Sequence, residues 1–120
     1  MGEGGNTVRL LVTTVDSPEA AQGIADGLVA NRLAACVNIL PGVTSVYRWQ
    51  GAVAAADEWL LLIKTTAERQ AACLAALDDL HPYDVPEALA VDVAASLPAY
   101  LAWVAESVTV PEGEEGREER

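Results

Sequence analysis

From Val8 to Val15 the chain is rich in Val, Leu and Thr, with one charge at Arg9, and has the length and composition of a buried strand. The period then changes. Ala21, Ile24, Ala25 and Leu28 recur at helical spacing behind Asp16-Ser17-Pro18-Glu19, which offers a cap, a proline suited to the first turn and an acid favourable to the helix dipole. A helix to about Asn31 is predicted. Cys36 to Gln50 and Ala52 to Thr65 read as two long extended segments. Val43, Ser45, Tyr47 and Trp49 share a face of the first, and Trp59, Leu61 and Ile63 share a face of the second, so the two are expected to pair as a hairpin. Pro41-Gly42 lies inside the first, where a missing N–H and a permissive φ predict a kink or bulge.

Thr65-Thr66-Ala67-Glu68 matches a capping box, followed by Cys73, Leu74, Leu77 and Leu80 as the buried stripe of a second helix. Pro82 ends that helix and should push His81 into an extended conformation. Leu89, Val91 and Val93 alternate as a fourth strand. Ser96-Leu97-Pro98 then opens a last helix with Tyr100, Leu101, Val104 and Val108 on one side. The fold class is therefore α+β: a ferredoxin-like β-α-β-β-α-β order with two helices on one face of an antiparallel sheet, plus a C-terminal helix. This domain is expected over residues 8–108, between an unstructured segment at 1–7 and an acidic tail at 109–120.

The two long strands, about 14 to 15 residues each, exceed the common range of about 3 to 10. They outrun any sheet this short chain can lay over them. An overhanging hairpin bearing Val43, Val46, Tyr47 and Trp49 leaves apolar surface and open edges in water, which predicts an obligate homo-oligomer.

Composition narrows the function classes. The formal net charge of −11 repels phosphate polyanions and attracts cations, so no nucleic-acid partner is expected. No apolar run is long enough to span a bilayer, and the N-terminus lacks the cationic and apolar regions of a secretory signal, so a cytoplasmic protein with no membrane partner is expected. Cys36 and Cys73 form no C-x-x-C and read as buried thiols. Phosphate-cradling glycine motifs and nucleophile elbows are absent, and no nucleophile stands beside a base, so the chain is expected not to be an enzyme.

The densest polar cluster is His81-Pro82-Tyr83-Asp84-Val85-Pro86-Glu87. Its two prolines fix the backbone and could hold an imidazole, a phenol and carboxylates for a metal or small ligand. The alternative is structural: His81 capping the helix, Tyr83 packing under the loop and Glu87 pairing with Lys64 or Arg48. Lys64, at the end of an apolar run, is expected to find a carboxylate. Trp49, Trp59 and Tyr47 read as interface and core anchors.

Ala34-Ala35-Cys36-Val37-Asn38-Ile39-Leu40-Pro41-Gly42, Ser45-Val46-Tyr47-Arg48-Trp49-Gln50-Gly51, Ile63-Lys64-Thr65-Thr66 and the His81–Glu87 cluster together resemble the CutA family of divalent-cation tolerance proteins. The resemblance covers about residues 8 to 108. It implies an architecture related to PII signalling proteins and a tightly packed homotrimer whose long hairpins build intersubunit sheets. It also implies tolerance of copper and other divalent cations. Some members bind copper through a cysteine near the end of strand one and adjacent histidines before the Pro-Tyr; here those positions are Thr13 and Leu80-His81, so His81 alone carries that pattern. A metal such as copper would then be held by His81 with Glu87 and Asp84. The alternative is a PII-like regulatory or scaffold trimer, with intersubunit clefts lined by Lys64, Tyr83, Trp49, Tyr47 and Glu87 that take a small molecule or a partner protein.

Overall fold

The structure, a computed structural model, describes residues 7–111. The expectations for the two chain ends fall almost wholly outside the described residues. In chain order the elements are β1 (Val8–Val15), α1 (Pro18–Ala30), β2 (Cys36–Trp49), β3 (Ala52–Thr66), α2 (Gln70–Leu80), β4 (Leu89–Asp92) and α3 (Pro98–Ser107). The four strands form one antiparallel sheet in the order β2-β3-β1-β4.

Ser17 starts α1 as expected: its Oγ accepts from the Ala20 amide at 3.0 Å, with Pro18 inside the first turn. Side-chain alternation in β1 sends Leu11, Thr13 and Val15 to one face, where they meet Ile24 and Leu28 of α1, Cys73 and Leu77 of α2, and Leu61 and Ile63 of β3. This is the main core. Val8, of opposite parity, packs with Ala35, Val104 and Val108, so α3 covers the Val8 end of the second face. Elsewhere that face is uncovered: Leu10, Val12, Leu60 and Leu62 are half-buried, and Leu40, Leu89 and Val91 are exposed.

The hairpin forms with the turn its sequence permits. Gln50 and Gly51 both take positive φ (50° and 82°), the requirement of a two-residue loop whose twist matches that of the strands. The expected irregularity at Pro41-Gly42 is a register shift between Leu40 and Val43, with Gly42 at φ 80°. β1 ends opposite Trp59, so Ala52 to Glu58 pair with β2 alone and the hairpin overhangs.

Four expectations are corrected. The capping box does not form: Thr65 still belongs to β3 and its hydroxyl donates to the Leu33 carbonyl at 2.7 Å, so α2 begins only at Gln70, without a side-chain cap. Leu80 is exposed rather than part of the buried stripe: it is the last residue of α2, and only its tip reaches α1, where a Cβ added at Gly27 would lie 3.0 Å from Leu80 Cδ1. Tyr100 is likewise exposed, while α3 buries Val104 and the residue just past its end, Val108, is buried beside it. Cys73 is fully buried, but Cys36 on the edge strand β2 is only half-buried.

Candidate functional site

Pro82 forces His81 out of the helix, at φ −78° and ψ 136°, while its amide still closes the last turn on the Leu77 carbonyl. The imidazole then turns back onto the sheet. Nε2 lies 2.9 Å from the Thr14 carbonyl, and Nδ1 lies 3.2 Å from the Tyr83 amide. A carbonyl can only accept and an amide can only donate, so Nε2 donates to Thr14 and Nδ1 accepts from Tyr83. Both nitrogens are thus occupied, and the side chain is only 7% exposed.

This bend delivers Tyr83 to the open face of the sheet, where its ring meets that of His81 edge-on at 4.7 Å. The phenol donates to Glu58 Oε2 at 2.5 Å, a short charge-assisted bond. Glu58 stands on β3 just past the end of β1, opposite Val43 where β2 resumes its pairing after the bulge. Burial would raise its pKa, yet hydrogen bonds from Ser45, Tyr83 and Thr14, with a smaller electrostatic contribution from His81, bring it below the usual carboxylate range. Tyr83 moves the opposite way, raised by burial, by its bond to Glu58 and by the charges of Glu58 and Asp16. The phenol stays a donor at any physiological pH.

These groups line a cleft of about 810 Å³ between the loop and the overhanging hairpin. Tyr47, Trp49 and Tyr83 supply aromatic surface, Val46 and Val85 apolar surface, and Asp16, Glu58, Asp84 and Glu87 carboxylates. Among the described residues no Lys or Arg lines it. Thr14 Oγ1 lies 3.5 Å from Glu87 Oε1 at the rim.

The fold therefore brings together Tyr47, Trp49, Tyr83, Asp84 and Glu87 of the residues singled out in the sequence. His81 stands behind the loop as its anchor. Lys64 sits at the other end of the sheet, paired with Leu10 and Cys36, its Nζ 3.7 Å from Cys36 Sγ. Glu58, Asp16, Ser45 and Thr14 are the additions. Glu58 had one sequence signal, an acid directly before the apolar run Trp59 to Ile63. Thr13, fully buried on the core face, points away from the cleft. Among the described residues no three His, Cys, Asp or Glu side chains are grouped so as to hold a metal ion, and no helix is long and apolar enough to cross a membrane.

The family model described as CutA1 divalent ion tolerance protein matches residues 9–107. The chain belongs to the CutA1 family. It is 48% identical over 98 residues to the divalent-cation tolerance protein CutA of Thermus thermophilus, an alignment covering 82% of this chain and 95% of that one. It is 39% identical over 109 residues to the chloroplastic CutA of Arabidopsis thaliana, covering 89% of this chain and 60% of the longer plant protein. The crystal structure of CutA from Xylella fastidiosa superimposes with a TM-score of 0.84 at 45% identity, covering 86% of this chain and 99% of that one. The cleft and its loop lie within the span that the CutA1 family model matches.

Proposed function

We propose that this CutA1 protein is a cytoplasmic homotrimer of ferredoxin-like, PII-like subunits that binds divalent cations weakly in the acidic cleft and so contributes to their tolerance. The observation that carries the reading is the lining itself: four carboxylates from three separate parts of the chain, with no basic side chain among them. Such oxygen donors suit hard divalent ions. Copper(I) prefers sulfur, and the cleft offers none, so the reading extends to copper(II) and other divalent ions. Since no three His, Cys, Asp or Glu side chains are grouped for direct coordination among the described residues, the ion would keep much of its water and be held loosely by Asp84 and Glu87 of the loop, in the field of Glu58 and Asp16. His81 joins only by giving up the Thr14 carbonyl, and otherwise acts as the positioning residue of the loop. The role is binding, with no catalytic step.

Assembly follows from the uncovered face. Leu10, Val12, Leu60, Leu62, Leu89 and Val91 form an apolar surface that no element among the described residues covers, and Val46 is 69% exposed on the overhang. Three copies is the number that the resemblance noted in the sequence implies.

Calorimetric titration of the full chain with copper(II) and zinc, with stoichiometry set against the assembled mass, tests the reading. Saturable binding lost in Asp84→Asn/Glu87→Gln and retained in His81→Asn supports it. Absence of saturable binding, or loss in His81→Asn alone, overturns this assignment of donors.

A further inference from the structure

One coordinated metal ion needs far less room than the cleft offers. Its volume of about 810 Å³ falls within the range of roughly 300–1,000 Å³ typical of pockets that take whole organic molecules. Its walls are also more than acidic. Tyr47 and Trp49 stand two residues apart on β2 and so share a face of the strand, while Tyr83 enters from the loop. Aromatic faces attract organic cations and pack against methylene groups, whereas a hydrated divalent ion gains little from them.

Glu58 is the second observation. The side chain is buried, at 7% exposure, and lines the cleft, yet its partners Tyr83, Ser45 and Thr14 are all hydroxyls. Buried charges are normally met by a counter-charge. His81 turns both ring nitrogens to backbone groups, the Thr14 carbonyl and the Tyr83 amide, and among the described residues no Lys or Arg lines the cleft. A cation entering the cleft would meet Glu58 at its floor and Asp84 and Glu87 from the loop, with aromatic surface between.

We propose that the cleft binds a linear organic ammonium ligand of the polyamine class, with one charged nitrogen at Glu58, others at Asp84 and Glu87, and the methylene chain against Tyr47, Trp49 and Tyr83. This deepens the cation-binding reading above and rests on it. More than one charge is inferred because the carboxylates come from separate parts of the chain: the segment after β1, the overhang of β3 and the α2–β4 loop.

The test is calorimetric titration of the full chain with spermidine, with copper(II) as a parallel arm, at about physiological ionic strength, where surface charge is screened beyond about 8 Å. Trp49→Leu and Tyr47→Leu keep every charge and should each weaken spermidine binding at least about fivefold. Glu58→Gln should weaken it about tenfold or more. Asp26→Asn removes the same charge from the far side of α1 and should change it less than about twofold. Assembled mass and circular dichroism identify any variant that has lost its fold, and Tyr47→Leu stands in if Trp49→Leu alters the assembly. Ring variants that bind like the parent, or a loss in Asp26→Asn equal to that in Glu58→Gln, would reduce the binding to a general acidic field and overturn the proposal. Saturable copper(II) binding without saturable spermidine binding leaves the metal reading standing and this one fallen; failure of both ions removes both.

Discussion

Two side chains show how burial sets the energetics in opposite ways. Glu58 prefers its ionised form in the folded protein, because its bonds to Ser45, Tyr83 and Thr14 outweigh its desolvation. Its folded pKa lies below the ordinary 4.5, so its contribution to stability is fully present above pH 4.5 and is lost as pH falls through the folded value. Glu58→Gln should therefore flatten the acid limb of a plot of melting temperature against pH while leaving its neutral region at or below the parent; an unchanged acid limb would remove Glu58 from that role. Thr13 is the reverse case: fully buried, with an Oγ1 that has no hydrogen-bond partner. Replacing an unsatisfied hydroxyl by a methyl group of the same shape relieves its desolvation, so Thr13→Val should stabilise the protein by about 1 kcal/mol in chemical denaturation. Cys73 needs no such relief. Burial pushes its thiol up to about 11, which keeps it protonated and inert in the core.

At the scale of elements, the hairpin is the part most exposed to a single change. Gly51 holds φ 82° at its tip, and a β-branched residue there pays the left-handed penalty of about 1–2 kcal/mol. Gly51→Val should lower stability by that amount, whereas the same change at Gly23, inside α1 with open space around its Cβ position, carries only the difference in helix propensity. Denaturation of the two variants side by side checks the distinction. The elements themselves were legible: β1 followed from its run of Val, Leu and Thr, α1 from helical spacing behind its cap, and the hairpin from the alternating faces of its two long strands. The start of α2 was not, because Thr65 has two uses for its hydroxyl, and the Leu33 carbonyl, distant in sequence, wins over the local cap. The cleft was half legible. Its loop announced itself through two prolines and a dense set of polar side chains, but Glu58, Asp16 and Ser45 reach it through strand register and the Pro41-Gly42 bulge, which no local pattern encodes.

At the scale of the molecule, the sheet is covered on one face by α1 and α2 and, among the described residues, largely bare on the other, where α3 covers one end. A second copy laid on the bare face would exclude water from Leu10, Val12, Leu60 and Leu62, and the overhang would reach past each subunit's own β1. Leu62→Glu places a carboxylate in the middle of that face. Sedimentation should then report the monomer mass, since an unpaired buried charge costs several kcal/mol at an interface. An assembly of unchanged mass would mean that the chains meet elsewhere.

The loop between α2 and β4 is tied to one strand at both ends. His81 holds the Thr14 carbonyl where the loop begins, and Leu89 pairs with Val12 where it ends, two residues further back on β1. A span pinned at two neighbouring points on the same rail cannot swing like a door. The opposite wall is the hairpin tip, where β2 and β3 pair only with each other among the described strands. Of the cleft's two walls, the loop is therefore the fixed one, and the tip is the one whose position a bound guest or a packed neighbour would set.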